Sequence, residues 1–152
     1  MKDNFLEEKF PNLKKSNYQI TSPKSYKYNC IAWAVNDTSA WWWPDSHNQY
    51  YWPLGIKRIE ILEVFIRAFE QLSYNVCDSG KFEEGFEKIA IYVKEEKPTH
   101  IARQINAKYW TSKLGQYVDI KHEIEGVSNS EYGSIAVFMK RPHSSTKLKN
   151  PS

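Results

Sequence analysis

Apolar residues recur at helical spacing soon after the start of the chain. Ile31, Ala34 and Val35 fall at i, i+3 and i+4 positions, which predicts a short helix that begins at Cys30. Asn29 precedes this helix, and its side-chain oxygen can accept a hydrogen bond from an N–H group of the first turn. The pattern therefore places a cysteine at the first position of a capped helix.

A second amphipathic stretch predicts the clearest helix of the chain, over residues 57–72. Its apolar positions share one face and are Ile61, Leu62, Phe65, Ala68, Phe69 and Leu72. Charged residues occupy the opposite face, as is typical of a helix that packs on a core. We expect this helix to have a structural role.

Residues 81–140 show the alternating and short apolar runs that are typical of an antiparallel sheet. The predicted strands are residues 74–77, 88–93, 99–105, 109–113 and 133–139, and residues 114–120 lead into a polar stretch around His122. Helices followed by a meander of strands predict the α+β class. We interpret residues 1–27 as a polar lead-in, residues 28–141 as a single domain and residues 142–152 as a disordered tail.

Tryptophans and tyrosines cluster at residues 41–52, which we call the aromatic segment, and aromatic residues make up 15% of the chain. Pro44 and Pro53 predict a long ordered loop there. One interpretation is a hydrophobic plug over the core. The other is a wall or lid beside Cys30 that excludes water and selects the substrate. The two interpretations are compatible.

Charge and composition narrow the function classes. The net charge of +3 is small, and acidic and basic residues are interleaved along the chain. This distribution does not favour nucleic acid as a partner. No apolar run is long enough for a membrane helix, and the first residues lack the apolar core of a signal peptide. We therefore expect a cytoplasmic protein with Cys30 and Cys77 as free thiols. Metal-binding spacings and phosphate-cradling glycine loops are also missing, so we expect neither a metal nor another cofactor.

A thiol at a helix start can act as a nucleophile if a base takes its proton. The helix N-terminus favours the thiolate of Cys30, and His100, which opens a predicted strand, is the candidate base. A third polar group would orient the imidazole, and Ser112, Asp119 and His122 are the candidates. Asp119 is preferred, because a carboxylate also stabilises the imidazolium.

Further residues are candidates for binding the substrate or an oxyanion. The N–H of Cys30 could hold the oxyanion together with Asn29 or Tyr28. Strand alternation places Gln104 on the same face as His100. The remaining candidate contacts with the substrate are Trp33, Trp42, Trp43 and Ser112.

Four sequence blocks carry a resemblance to known proteins: YNCIAWA at 28–34, WWWP at 41–44, THIARQ at 99–104 and WTSKLG at 110–115. They resemble an uncharacterised family of short bacterial proteins. The order of cysteine, histidine and a later polar residue also resembles the papain-like superfamily, in which the NlpC-like enzymes are closest in size. This second resemblance implies a nucleophile helix packed on a small antiparallel sheet, with Cys30 as nucleophile, His100 as base and Asp119 as orienting residue.

The leading hypothesis is a cysteine-dependent hydrolase or acyl-transfer enzyme that acts on a peptide or protein amide as a peptidase, amidase or glutamine deamidase. The alternative is a non-catalytic module that holds a protein or peptide with the aromatic segment. A third hypothesis is binding of single-stranded nucleic acid through stacked aromatic rings.

Overall fold

The computed structural model describes residues 3–143, and within them seven strands form one antiparallel sheet in the order β1-β6-β5-β4-β3-β7-β2. The strands are β1 (Tyr18–Ser22), β2 (Asn75–Cys77), β3 (Phe86–Lys94), β4 (Lys97–Gln104), β5 (Trp110–Lys113), β6 (Asp119–His122) and β7 (Ser134–Pro142). The helices are α1 (Asn4–Lys9), α2 (Cys30–Ala34) and α3 (Leu62–Gln71), and 3₁₀ turns cover Pro11–Lys15 and Ile124–Val127.

The predicted fold class is wrong. The structure is 33% strand and 21% helix, a β-rich fold rather than a papain-like or NlpC-like α+β fold with a helix on a small sheet. The sheet is larger than expected partly because Tyr18–Ser22 pairs with β6 at one edge. In addition, β3 and β7 each extend to nine residues.

Both faces of the sheet are covered, and consecutive residues of β4 enter different cores. Ile101 packs in the core beneath α2, α3 and the aromatic segment. Ala102 packs in the core on the opposite face, with Leu6 of α1 and Val127 of the second 3₁₀ turn. We call these the first face and the second face. The period-two alternation of strand side chains therefore decides which core each polar residue of β4, β5 and β6 enters.

Residues 3–22, part of the predicted polar lead-in, fold onto the sheet. Leu6, Phe10 and Leu13 are almost fully buried on the second face. They fall at i, i+4 and i+7 positions across α1 and the first 3₁₀ turn, so the scattered apolar residues of a Lys-rich stretch make one buried row. Most of the predicted disordered tail, residues 144–152, lies outside the described residues.

The helix predicted over residues 57–72 begins later, at Leu62. The residues before it are held by the aromatic segment. The Trp52 indole N–H donates to the Lys57 carbonyl at 2.9 Å, and Arg58 donates to the Asp45 carboxylate at 2.9 Å and the Tyr50 carbonyl at 2.9 Å. These contacts keep residues 57 and 58 in loop conformation, which the periodicity alone does not indicate.

Candidate functional site

The helix that carries the candidate nucleophile begins at Cys30, as predicted, and Asn29 is its N-cap. Asn29 Oδ1 accepts from the Ala32 N–H at 3.3 Å. The same side chain donates to the Trp42 carbonyl at 2.6 Å and accepts from the Trp42 N–H at 3.2 Å. Asn29 therefore joins the start of α2 to the aromatic segment, and both polar atoms of its side chain are engaged in that role.

Cys30 Sγ lies where β4 and β5 separate. The ladder between these strands pairs only Arg103 with Thr111 and Gln104 with Trp110, so Ile101 lies beyond it. The backbone N–H of Ile101 lies near enough to the sulfur to lower the pKa of the thiol. The sulfur therefore lies beside the part of β4 that has no ladder partner on β5.

Burial governs the protonation of Cys30. It raises the pKa of the thiol to about 11, although the N–H groups of Ile101, Ile31 and Cys30 itself act in the opposite direction. Burial thus outweighs the hydrogen bonds at the helix start. The N–H groups at the helix start favour the thiolate, as predicted, but the prediction did not include burial, which has the larger effect on the pKa.

His100 belongs to a buried chain of hydrogen bonds on the second face of the sheet. Its Nε2 lies 2.8 Å from Ser112 Oγ, and Ser112 Oγ lies 2.7 Å from His122 Nε2. His122 Nδ1 lies 2.6 Å from the Glu123 carbonyl oxygen. His100, Ser112 and His122 are all at most 1% exposed, so the chain of hydrogen bonds is shielded from water.

The Glu123 carbonyl fixes the direction of every proton in this chain. A carbonyl only accepts, so His122 Nδ1 carries the proton and His122 Nε2 is an acceptor. Ser112 must then donate to His122 and accept from His100 Nε2. His100 Nδ1 is therefore left with a lone pair, and it has no hydrogen-bond partner among residues 3–143.

Both imidazoles are neutral at neutral pH. Burial, and then the nearby His122, holds the pKa of His100 well below its usual range. Burial lowers the pKa of His122 to about 4. Neutral His100 with an unpartnered Nδ1 is an acceptor for a proton. Tyr132 lines the cavity of Cys30 and stacks on His100, so the two residues share this neighbour, but no hydrogen bond joins them.

Tyr132 is a site residue that the sequence analysis missed. Its ring stacks on the His100 imidazole, with centroids 4.1 Å apart and planes 2° apart. The Thr99 hydroxyl donates to the Tyr132 carbonyl at 2.5 Å and so attaches this loop to β4. Burial, followed by the neighbouring Cys30, raises the pKa of Tyr132. Tyr132 lies in a loop outside any periodic pattern, so the sequence carried no signal for it.

Cys30 lines a cavity of about 290 Å³. Trp41, Trp43 and Tyr50 of the aromatic segment contribute aromatic surface to it. Thr99, Gly115 and Tyr132 complete the lining with Asn29. None of these lining residues carries a charge. Of the two tryptophans predicted to contact the substrate, Trp43 lines this cavity, while Trp42 turns into the core and donates from its indole to Asp37 at 2.8 Å.

Residues 19–140 match a protein family described as a domain of unknown function (DUF7689). The chain belongs to this family. Neither a curated protein nor a solved structure matches the chain. The DUF7689 match includes the whole Cys30 cavity and the whole His100 hydrogen-bond chain, so both lie within the family domain.

Asp119 does not contact His100, because alternation along β6 sends it to the first face. There it accepts from the Tyr28 hydroxyl at 2.7 Å, and Lys113 is its register partner on β5. Burial raises the pKa of Asp119, and its Oδ1 lacks a hydrogen-bond partner in the described part of the chain. The prediction of Asp119 as the group that orients His100 is therefore wrong, and Ser112 occupies that position.

Two other predicted contacts lie away from the cavity. The Trp33 indole donates to the Thr111 hydroxyl at 2.9 Å, and its ring packs under Arg103. Gln104 donates to the Gly80 carbonyl at 2.7 Å at the far end of β4. Tyr28, which was predicted to help hold the oxyanion, instead donates its hydroxyl to Asp119.

The described residues also bear on metals and membranes. Within residues 3–143, histidine, cysteine and carboxylate side chains do not gather in a group of three or more that could hold a metal ion. None of the helices in this part of the chain has the length and apolar character that crossing a membrane requires.

Proposed function

We propose that this DUF7689 domain is a cysteine-dependent hydrolase or acyl-transfer enzyme acting on an amide, of the peptidase, amidase or glutamine deamidase type. One observation carries the proposal: the chain from Glu123 through His122 and Ser112 leaves His100 Nδ1 as a buried acceptor without a partner. The lone pair on this neutral imidazole nitrogen is free to take the thiol proton as Cys30 attacks, which is the role of a general base.

The reaction begins with a neutral pair. As the Cys30 sulfur attacks the amide carbonyl carbon, its proton moves to His100 Nδ1 and the carbonyl electrons pass to the oxygen. The backbone N–H groups around Cys30 hold that oxyanion. The imidazolium then gives its proton to the departing amine nitrogen, the C–N bond breaks and a thioester remains.

The second half restores the enzyme. His100 takes a proton from a water molecule, or from an acceptor amine or alcohol, as that molecule attacks the thioester. The carbonyl group of the product re-forms and the sulfur leaves with the proton from His100. Because the thiol pKa is about 11, proton transfer accompanies attack instead of preceding it. The hydrogen bond from His100 Nε2 to Ser112 keeps Nδ1 directed for both steps.

The proposal includes a peptide or protein amide as substrate and a cytoplasmic location. Cys30 and Cys77 are both free thiols, which a reducing compartment preserves. The uncharged aromatic lining of the Cys30 cavity supports a peptide-like substrate over nucleic acid, since phosphate recognition needs cationic side chains.

The test is acylation by p-nitrophenyl acetate, a small activated ester. We expect release of nitrophenolate and an acetyl adduct on Cys30, located by mass spectrometry of digested protein. Cys77→Ala should react like the wild type, and Cys30→Ala should not form the adduct. His100→Gln should slow acylation by about a hundredfold, the usual size of a lost general base.

Two outcomes would contradict the proposal. One is equal modification of Cys30 and Cys77, and the other is a His100→Gln variant that acylates at the wild-type rate. Thermal unfolding of each variant shows whether a slow rate reflects loss of structure.

The second candidate function is a module that holds a peptide in the aromatic cavity without reacting. The neutral, buried thiol of Cys30 favours it, because such a thiol is a poor nucleophile at rest. Peptide binding with no thioester detectable in wild-type protein would support this candidate over the enzyme.

A further inference from the structure

A second cavity adjoins the first. It has a volume of about 510 Å³ and lies among α1, the residues before α2 and the loop after β5. It shares two lining residues, Gly115 and Tyr132, with the Cys30 cavity. Tyr132 therefore contributes to both cavities while it stacks on His100. We call the two neighbouring cavities together the cleft, and Cys30 lines the smaller of them.

The two cavities differ in charge. The Cys30 cavity has an uncharged lining that includes two indoles and two phenol rings. The second cavity combines apolar side chains with two ammonium groups, Lys9 and Lys24, and one carboxylate, Glu131. Lys9 and Glu131 lie 3.8 Å apart and offset each other. Lys24 forms no ion pair within residues 3–143, so the second cavity carries an uncompensated positive charge.

We infer that the cleft takes a peptide-like amide with an uncharged aromatic group on one side of the reacting carbonyl and an acidic group on the other. The aromatic group lies between Trp41, Trp43 and Tyr50, and the acidic group lies near Lys24. The inference rests on the proposed function, for which it names the substrate class. Both volumes are of the order of known ligand sites, about 300–1,000 Å³.

With Lys24 in the second cavity, we expect a cationic or wholly apolar substrate to bind less well than an acidic one. A cationic side chain would face Lys24 and be repelled. A wholly apolar one would cover the ammonium group without pairing it. Because Lys24 is exposed, the pairing changes affinity by a modest factor of about fivefold.

The experiment measures binding without chemistry, in the full-length Cys30→Ala protein, by isothermal titration calorimetry. The probes are acetyl-Phe-Glu-amide, acetyl-Phe-Gln-amide and acetyl-Phe-Lys-amide, together with acetyl-Glu-Phe-amide to test the reverse order. We expect a peptide with Glu to bind about fivefold more tightly than the peptide with Lys. Lys24→Glu should reverse that ranking. Lys81→Glu makes the same charge change on an exposed residue outside both cavities and should leave the ranking unchanged.

Equal affinity for the Glu, Gln and Lys peptides, no binding by any of them at millimolar concentration, or an unchanged ranking in Lys24→Glu would each overturn the inference. The proposed function fails separately. If Cys30 is acylated but the peptides bind equally, only the inferred substrate class is overturned. If the peptides bind differently but Cys30 is not acylated, the inferred binding preference is supported and the proposed enzymatic function is rejected.

Discussion

Strands β5 and β6 carry two buried polar clusters, one on each face, and their chemistry differs. On the second face, Ser112 and His122 form a neutral chain with His100, whose one unpartnered atom is an imidazole nitrogen. On the first face, Lys113 and Asp119 bring charges into the protein, and Lys113 donates to the Ser25 carbonyl at 2.8 Å and to the Gly115 carbonyl. The two clusters are adjacent in sequence and separated by the sheet.

The comparison of the two clusters shows that a neutral and a charged polar cluster meet different conditions when they are buried. The neutral chain can be enclosed at low cost because each of its protons has a partner. The charged cluster stabilises the fold only while both signs are present, since either charge alone would be buried without compensation. The neutral chain therefore suits proton transfer, and the charged cluster suits fixing Tyr28 and the strand before α2.

Acidic pH should have the largest effect on the free energy of unfolding, and in this effect the two clusters act in opposite directions. The pKa of His122 is about 4 in the folded protein and about 6.5 when unfolded, so the unfolded state binds more protons between these values. Stability is fully present above pH 6.5 and falls as the pH drops toward 4, by about 3 kcal/mol from His122 alone. His100 adds to this loss, because its pKa is lowered too. Asp119 acts oppositely, since its raised pKa favours folding in acid. Urea unfolding across this range measures the slope.

Two histidine substitutions test the origin of this pH dependence. His122→Gln should reduce the slope of the unfolding free energy against pH, and His47→Gln, at an exposed position, should leave that slope unchanged. A wild-type stability that does not change between pH 6.5 and 4.5 would contradict the buried neutral chain.

Loss of one charge from the first face should have the next largest effect. Lys113→Met removes the nearby charge that lowers the pKa of Asp119 and the donor to the Ser25 and Gly115 carbonyls, and we expect a loss of about 3 kcal/mol in the free energy of unfolding. The double variant Lys113→Met with Asp119→Leu should recover part of that loss, because no charge is then buried. A double variant less stable than the sum of the two single changes would disprove this account.

Ser112→Ala should weaken the second face and the proposed reaction together. It removes the one group that joins two buried imidazole nitrogens, at a cost of about 2 kcal/mol. With His100 no longer oriented, acylation by p-nitrophenyl acetate should fall at least about tenfold. Ser112→Thr keeps the hydroxyl and should restore much of the rate. An alanine variant that unfolds earlier yet acylates normally would reduce Ser112 to a structural residue.

Asp119→Asn should have the smallest effect on the reaction. The amide oxygen can still accept from Tyr28, so stability should change by less than about 1 kcal/mol. The acylation rate should stay at the wild-type value, because Asp119 is on the face away from His100. A marked fall in acylation by a stably folded Asp119→Asn protein would show coupling through the sheet.

The sequence predicted local features better than the sheet as a whole. Asn29 as a cap and Cys30 as the first helical residue follow from hydrogen-bond chemistry within a few residues, so both predictions held. The β-rich fold did not follow, because Tyr18–Ser22 is recognisable as a strand only once β6 is beside it. The strand that pairs with Tyr18–Ser22 lies about a hundred residues later in the chain, and the local sequence of a short polar stretch does not indicate such a partner.

The candidate site divides in the same way. Strand alternation correctly put His100 and Gln104 on one face, but choosing among Ser112, Asp119 and His122 needed the relative registers of β4, β5 and β6. Chemistry favoured the carboxylate, and the register placed the hydroxyl within reach. Tyr132 could not be found because its position depends on the turn between Ser130 and Gly133, which no periodic pattern describes.

Asn29 has a consequence for how this domain could be altered by selection or by design. Its side chain holds the backbone of Trp42 on both its donor and its acceptor while it starts the helix of Cys30. The Cys30 sulfur and the aromatic wall of its cavity therefore both depend on the Asn29 side chain. A change in specificity that moved the wall would carry the sulfur with it, so new substrates are more readily reached through the Lys24 side of the cleft, where the lining belongs to other segments.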